Sequence, residues 1–428
     1  MNFDLLHPRE QIVSIMKRIY VGEMTTLSGG NLSVLDDHGD LWITPAGVDK
    51  GRLTPGDVVC VRSDGTIEGP HRPSSEYPFH RAIYERRPDL RAVVHCHPPA
   101  LVAYSISGET PDTRIIPQAN RVCGPIRYAP YAVPGSEALG QNIADTFAQG
   151  VDIVMLENHG VASGGASLLE AYQRMETLDF CARTLINARG VGAYRTLSDA
   201  QLAQFTRRRY ILPEFEVGYH TSEERQERQQ IVEIVHRACD RHLMISTEGV
   251  VSARLGEDTF LITPTGADRR SLEIQDIVLV QEGQREQGKM PSRSVNLHRE
   301  IYRMHPEIGS IITAQSPSAV AYAVTPATFD SRTIPESYIL LRDVPCVSFD
   351  KLYGKPKEVA EAITERSPVL LIENDCVLTT GANVLKAFDR LEVLEYTARA
   401  LLSVPVLGNF IAIDEGRIRE IEKKFLDG

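Results

Sequence analysis

The two halves of this chain repeat each other with a period of about 218 residues. REQIVSIMKRIY from Arg9 matches RQQIVEIVHRAC from Arg228, and ITPAG from Ile43 matches ITPTG from Ile262. Later, FHRAIYERRPDLRAVV matches LHREIYRMHPEIGSII, and MLENHGV matches LIENDCV. Because this period is far longer than a solenoid unit, each half is predicted to be a complete domain. We place the boundary near Leu212, which gives domains 1–212 and 213–428.

Composition excludes several classes of protein. The net charge of −11 is offset by no basic block, which argues against nucleic-acid binding. No apolar run approaches the roughly 20 residues that cross a bilayer, and the N-terminus has no charged-then-apolar leader. Seven scattered cysteines without a C-x-x-C pair make a disulfide framework improbable. We therefore expect a cytoplasmic protein without a membrane partner.

Each half has the same coarse order of elements. In the first half, REQIVSIMKRIYV has helical periodicity, DLWITP and DVVCVRSDG are predicted strands, and SSEYPFHRAIYERRP is predicted to begin a helix on a serine cap. RAVVHCH and DIVMLENHG are short apolar strands, and a long helix ends near Gly190. Several strands follow one another without helices between them. The pattern predicts a layered α/β/α domain with an antiparallel or mixed sheet.

Two histidines lie one residue apart in AVVHCHPPA. In a strand, His95 and His97 would share one face while Cys96 points to the other. Neutral imidazole is the commonest metal ligand, but most isolated H-x-H pairs are ordinary half-buried histidines. His159 in ENHGV and Glu76 in PSSEYPFH complete a set of three imidazoles and one carboxylate, which suits a catalytic zinc-type site.

SGGNLS, ITPAG, PSSEYPFHRAIYERRPDLRAVVHCHPPA and LENHGV, in that order, resemble the class II aldolase/adducin family over residues 5 to 190. The resemblance implies a three-layer α/β/α fold in two tandem copies. It also implies one Zn²⁺ or similar divalent ion per chain, bound by His95, His97 and His159, with Glu76 as ligand and proton carrier. Family aldolases have glutamate at that position, whereas the epimerase branch has aspartate, so Glu76 favours carbon–carbon bond cleavage.

The implied function is an aldolase that cleaves or forms a carbon–carbon bond in a small ketose phosphate or related keto acid, by way of an enediolate. The resemblance also assigns a phosphate cradle. Its residues are Ser28, Gly30, Asn31, Ala46, Gly47, Ser74 and Ser75. Glycines allow close approach, and the serine pair precedes a helix N-terminus, which favours anions. Many family aldolases have threonine where Ala46 stands, so one hydroxyl is missing.

The second half has lost the metal set. Under the repeat alignment His95, His97 and His159 correspond to Thr313, Gln315 and Asp375, while Glu76 corresponds to Ser294. We interpret residues 213–428 as a degenerate copy, with the alternative that it has acquired a different ligand through Arg293 and Glu336.

In family enzymes that form four-fold rings, a neighbouring subunit completes the active site. We expect a homodimer of tandem chains to form a comparable ring. The family tyrosine that crosses this interface follows an IP dipeptide. Only the second half has a tyrosine after this dipeptide, in TIPESYILL. We therefore predict a catalytic role for Tyr338 at the metal site of a first-half domain.

Three alternatives remain. The same metal chemistry in this family serves decarboxylation, dehydration and epimerisation. Adducins share the domain and act as assembly proteins without a working metal site. The second half could also sense a metabolite, although no sequence feature shows allosteric coupling. The intact metal set of the first half favours an enzyme.

Overall fold

A computed structural model describes residues 3–207 and 211–426. The chain divides into two compact units. The first comprises Met1–Thr113 and Gln118–Ala182, and the second comprises Arg114–Pro117 and Arg183–Gly428. Each unit contains its own sheet, as the repeat predicts.

The first unit alternates helices with short strands. Its helices are α1 (Pro8–Val21), α2 (Tyr77–Arg86), α3 (Pro99–Ser107), α4 (Pro117–Cys123), α5 (Glu137–Phe147) and α6 (Leu168–Arg189), of which α4 and α6 each extend partly into the second unit. Its strands are β1 (Asn31–Leu35), β2 (Leu41–Ile43), β3 (Val59–Val61), β4 (Ile67–Glu68), β5 (Ala92–Cys96), β6 (Ile126–Ala129), β7 (Ile153–Leu156) and β8 (Gly160–Gly165).

The first sheet has the order β4-β3-β2-β1-β5-β8-β7-β6 within the described residues. All its pairings are antiparallel except β6 with β7, so the sheet is mixed. Val93 packs with residues of α2 and α5 on one face. Ser163, which pairs with Val94 on the opposite face, donates its hydroxyl to Ala171 O of α6 at 2.8 Å. Helices therefore cover both faces, which confirms the predicted three-layer α/β/α fold.

The second unit repeats this plan. Its helices are α7 (Asp199–Arg207), α8 (Ser222–Asp240), α9 (Val295–Met304), α10 (Pro317–Ala323), α11 (Pro335–Leu341), α12 (Phe349–Gly354), α13 (Pro356–Glu361), α14 (Val384–Leu407) and α15 (Glu415–Phe425). Its strands are β9 (Glu214–Phe215), β10 (Val250–Gly256), β11 (Thr259–Ile262), β12 (Val278–Gln281), β13 (Gln284–Glu286), β14 (Ser310–Ala314), β15 (Cys346–Val347), β16 (Val369–Ile372) and β17 (Cys376–Gly381).

The second sheet has the order β15-β16-β17-β14-β10-β11-β12-β13-β9. Read in reverse from β13, this order reproduces the first sheet strand for strand, with β9 added at one edge. Thr379 on β17 donates to Ala387 O of α14 at 2.9 Å, as Ser163 does to α6 in the first unit. The duplication therefore extends to the layers as well as to the sequence.

The compact units do not divide at Leu212. Residues from Arg183 onward group with the second unit, together with Arg114–Pro117. One reason is Asn374, whose side-chain amide donates to Ile115 O at 2.9 Å and to Arg195 O at 2.8 Å. The boundary at Leu212 stays a prediction about where one repeat ends and the next begins.

Two predictions from composition can be compared with the structure. All seven cysteines are free thiols, and every one except Cys346 is buried. Among the described residues, no helix is both long and apolar enough to span a membrane.

Candidate metal and substrate site

Strand β5 presents the H-x-H pair as predicted. His95 lies within the strand and is fully buried, while His97 follows the strand end. Their ring centroids are 4.7 Å apart and their Nε2 atoms 3.0 Å apart. The alternation of a strand therefore places both imidazoles on one side, with Cys96 buried on the other.

His159 joins this pair from the turn between β7 and β8, rather than from a strand end as predicted. The turn is formed by Asn158 in the left-handed conformation, with φ of 53°. The His159 ring lies 4.9 Å from that of His95 and 5.1 Å from that of His97. One nitrogen from each of the three rings falls within 4.8 Å of the others.

Burial keeps the two imidazoles of the H-x-H pair neutral. Burial lowers the pKa of His95 to about 3, and burial likewise lowers the pKa of His97 to about 3. His95 Nδ1 donates to Val161 O at 2.9 Å, so its Nε2 lone pair faces the cluster. A neutral imidazole with a second-sphere carbonyl on its far nitrogen is the form that binds a metal.

Glu76 supplies the carboxylate. It occupies the N-cap position of α2, so the predicted serine cap is wrong, and Ser74 instead accepts the Glu76 amide at 3.3 Å. The Glu76 oxygens lie 3.4 Å from His95 Nε2 and 3.6 Å from His159 Nε2. Three imidazoles beside one buried carboxylate fit a divalent transition metal ion.

A hydrogen-bonded chain fixes Glu76 from behind. Asn31 Nδ2 donates to Glu76 Oε2 at 2.6 Å, which leaves Asn31 Oδ1 as the acceptor of His80 Nε2. His80 Nδ1 then accepts from Ser33 Oγ at 2.7 Å. From the sequence, His80 is interpreted as a structural histidine, because His298 matches it in the second unit, which lacks the metal set. The structure links it to the carboxylate through Asn31.

Two glycines make room for His97. A Cβ on Gly29 would lie 3.0 Å from His97 Nδ1, and one on Gly160 would lie 2.5 Å from His97 Cδ2. In the second unit the two glycines are replaced by Glu248 and Cys376, and His97 is replaced by Gln315. The glycines and the imidazole are therefore lost together.

The predicted phosphate cradle is only partly assembled by backbone contacts. Gly30 begins the approach to β1 with φ of 69°, and a Cβ there would lie 2.8 Å from His95 O. An isolated bridge joins Pro45 to Pro73, which brings the ITPAG loop beside the serine pair. Gly47 and Ser75 are exposed at this edge, and Ser28 is exposed before it. The amide of Ala46 already donates to Arg72 O at 2.9 Å.

Lys50 was not singled out from the sequence. It is 3% exposed, and its Nζ donates to Pro45 O at 2.6 Å, beneath the ITPAG loop. Burial lowers its pKa to about 8. The matching Arg269 donates to Pro264 O at 3.1 Å in the second unit. The presence of a basic residue at this position in both repeats is the sequence feature that could have identified Lys50.

The residues that replace the three histidine ligands are buried in the second unit. Thr313, Gln315 and Asp375 are buried, and Tyr353 donates its hydroxyl to Asp375 Oδ2. Within the described part of the chain, the three histidines of the first unit form the one cluster of potential metal ligands. Tyr338 is 4% exposed, and its hydroxyl donates to Glu422 Oε1 of α15 at 2.6 Å.

Comparisons with known proteins identify the family of both repeats. The family model for the class II aldolase and adducin N-terminal domain matches residues 10–186 and again 229–402. The 5-deoxy-D-ribulose 1-phosphate aldolase of Bacillus thuringiensis is 31% identical over 207 residues, which cover 47% of this chain and 94% of that protein. The 3-oxo-tetronate 4-phosphate decarboxylase of Haemophilus influenzae is 30% identical over 208 residues, covering 47% and 98%.

A solved structure of L-fuculose 1-phosphate aldolase is 30% identical, with a TM-score of 0.42, and it covers 46% of this chain and 92% of that one. The named relatives are aldolases and decarboxylases, each about the length of one repeat. The chain therefore belongs to the class II aldolase and adducin family, as an enzyme that carries two copies of the family domain in tandem.

Proposed function

We propose that the first unit is the active domain of a zinc-dependent aldolase that acts on a small ketose phosphate or a related keto acid. The observation that carries the proposal is the cluster of three imidazoles, with the Glu76 carboxylate beside those of His95 and His159. His95, His97 and His159 would hold the ion, and Glu76 would be its exchangeable neighbour. A divalent ion bound there would act as a Lewis acid on the carbonyl and hydroxyl oxygens of a ketose. Zinc suits three imidazoles best.

Glu76 would carry the proton of the reaction. In aldol cleavage a hydroxyl proton is lost, the adjacent carbon–carbon bond breaks, and its electron pair remains on the carbon next to the carbonyl. That carbon must then take up one proton. The Glu76 carboxyl is buried, lies beside the imidazoles and is oriented by Asn31, so it is placed to accept the first proton and to donate the second.

The phosphate would be held at the edge of the same site. Ser74, Ser75 and Gly47 lie beside the start of α2, where the helix dipole favours an anion. Because the Ala46 amide is already used, the cradle depends on the two serines and on the backbone of Gly47. Phosphate binding would fix the distance between the reacting carbon and Glu76.

The test is a product assay on zinc-loaded protein. Ketose 1-phosphates should yield dihydroxyacetone phosphate or its analogue together with an aldehyde. Glu76→Gln should lower kcat by about a thousandfold or more, because the proton carrier is removed. Release of CO2 from a phosphorylated 3-oxo acid, without aldol cleavage, would assign the chain to the decarboxylases instead. No turnover of either class by the metal-loaded protein would favour an adducin-like assembly role.

A further inference from the structure

The residues that follow α6 pack on the second unit. We call residues 195–207, which include α7 and group with the second unit, the first tail. Leu197 and Phe205 of this tail form a buried apolar cluster with Phe349 of α12. The Phe205 ring centroid also lies 4.1 Å from the guanidinium carbon of Arg293. The first tail therefore covers an apolar face of the second unit around Phe349.

The second repeat ends in a matching tail that begins with the same contact. We call residues 411–425, which include α15, the second tail. Leu197 N of the first tail donates to Arg114 O at 2.9 Å. Ile413 N of the second tail donates to Arg332 O at 2.8 Å, and Arg332 matches Arg114 in the repeat. The two tails are therefore equivalent segments of the two repeats.

The second tail leaves exposed what the first tail buries. Ile421 matches Phe205 and is only half-buried. Ile334, two residues after Arg332, is 40% exposed, whereas the matching Ile116 is 1% exposed. Ile116 belongs to the short segment that groups with the second unit together with the first tail. The second tail and its neighbouring loop therefore present apolar side chains that a further contact could bury.

The first unit has an exposed copy of the face that the first tail covers. Tyr131 matches Phe349 and is 55% exposed, whereas Phe349 is 1% exposed. Ile106 matches Val324 and is 63% exposed. Val324 is fully buried, and its carbonyl accepts the amide of Arg195 of the first tail at 2.7 Å. We call the surface of the first unit around Tyr131 and Ile106 the docking face.

The backbone of this face is held in the same way in both units. Tyr131 N donates to Glu157 Oε2 at 2.8 Å in the first unit. Phe349 N donates to Glu373 Oε2 at 3.4 Å in the second unit, and the two glutamates match in the repeat. The docking face is therefore built like the surface that binds the first tail.

We propose that the second tail of one chain binds the docking face of a second copy of this chain. Ile413 and Ile421 would pack on Tyr131. The amide of Ile411 would donate to Ile106 O. The occupant is a second copy because the equivalent face of the second unit binds the equivalent segment of this same chain. Removal of these apolar side chains from water would favour the association.

Two chains can satisfy each other completely. The described part of the chain contains one second tail and one exposed docking face. Two chains can therefore exchange tails reciprocally, which covers both surfaces of both chains and closes the assembly. This exchange would give the homodimer expected from the sequence a specific interface. The inference rests on the contacts of the tails and not on the activity proposed for the first unit.

The test is the mass of the full-length chain in solution, measured by analytical ultracentrifugation. The wild type should sediment as two chains. Tyr131→Asp on the docking face, or Ile334→Asp beside the second tail, should weaken the association at least tenfold, because each places a carboxylate in an apolar contact. Ile67→Asp and Leu385→Asp alter apolar residues that are similarly exposed elsewhere, at 54% and 57%, and should leave two chains.

A mixture of the two interface variants distinguishes this interface from others. In a pair of identical variant chains, both interfaces contain a substitution. A mixed pair keeps one unaltered interface, between the second tail of the Tyr131→Asp chain and the docking face of the Ile334→Asp chain. Mixing should therefore restore pairs of chains, with an affinity between those of the wild type and the single variants.

Circular dichroism verifies that the variants fold. Ile106→Asp, on the same docking face, takes the place of Tyr131→Asp if that variant does not fold. A wild-type mass other than that of two chains would overturn the proposal. So would a mass of two chains for the folded interface variants, dissociation of the control variants, or failure of the mixed variants to pair.

Discussion

His97 occupies space that two glycines leave open. Gly160 begins β8, and any side chain there would meet both the His97 ring and Cys96 O, the latter at 2.8 Å. The backbone oxygen cannot move easily, so the imidazole would have to shift. A metal site tolerates little displacement of a ligand, because ligand nitrogens must lie within a few tenths of an ångström of their ideal distance.

Gly160→Ala is expected to lower zinc affinity by at least tenfold and turnover with it, while the protein remains folded. The measurement is a competition titration with a zinc-binding dye. Cys376→Ala, at the matching position of the second unit, should leave zinc affinity unchanged. If both variants bind zinc as the wild type does, the packing around His97 does not control the site.

Burial of the two strand histidines also makes stability depend on pH. Their pKa values of about 3 lie well below the ordinary value of about 6.5. Between these values the unfolded chain binds protons that the folded unit excludes. The contribution of these histidines to the free energy of unfolding of metal-free protein is therefore fully present above about pH 6.5. It falls as pH decreases toward 3, by up to about 1.4 kcal/mol per pH unit for each histidine.

The double variant His95→Thr/His97→Gln tests this dependence, because it installs the residues that the second unit has in the same positions. Urea unfolding of chelator-treated protein between pH 7 and pH 4.5 should lose stability more slowly with decreasing pH in the variant than in the wild type. Parallel curves would show that these two imidazoles do not exclude protons in the folded state.

At the scale of elements, one tight turn has different roles in the two units. Asn158 and Asn374 both adopt the left-handed conformation, with φ of 53° and 50°, between matching strands. The Asn158 side chain is exposed, whereas the Asn374 amide donates to two backbone carbonyls, of Ile115 and Arg195. The asparagine side chain at this turn therefore anchors other segments in the second unit, while in the first it is exposed.

Glycine at each position separates these roles, since it keeps the left-handed conformation but removes the amide. Asn374→Gly should lower the free energy of unfolding by about 1–3 kcal/mol, because two carbonyls lose their donor. Asn158→Gly should change it by less than about 0.5 kcal/mol. Chemical denaturation of both variants is the measurement, and an equal effect would contradict the anchoring role.

The elements near the site were largely predictable, because their signals are local. The alternation in AVVHCHPPA fixes which side chains of β5 share a face, and the repeat fixes that the sheet occurs twice. The N-cap of α2 was not predictable, because each of the three residues in SSE could occupy that position. Tertiary contacts of Glu76 with Asn31 and the imidazoles decide which one does. The link from His80 to Glu76 was also hidden, since it runs through Asn31, which lies 49 positions from His80 in the chain.

At the scale of the whole molecule, the two units keep one fold and differ in chemistry. The scaffold serine, histidine and tyrosine recur as Ser252, His298 and Tyr302, with the same 2.7 Å bonds as Ser33, His80 and Tyr84. The histidine ligands of the first unit, by contrast, are replaced by Thr313, Gln315 and Asp375 in the second. This pattern is expected when a second domain keeps its place in an assembly after losing the metal.

Tyr338 tests that assembly. If two chains pair so that the second half of one completes the site of the other, Tyr338→Phe should lower kcat at least tenfold without changing metal content. Glu422→Gln, which weakens the present partner of the hydroxyl but keeps the hydroxyl, should retain activity. The mass in solution should correspond to two chains. Unchanged turnover in Tyr338→Phe, beside complete loss in His97→Ala, would exclude the role.

We propose that each chain has one metal site and that this site lies in the first unit. The most direct measurement is elemental mass spectrometry of the purified, zinc-equilibrated protein beside the His95→Thr/His97→Gln variant, with folding of both verified by circular dichroism. We expect one zinc ion per wild-type chain and none in the variant. No bound ion in the wild type, or the same ion content in both proteins, would contradict it.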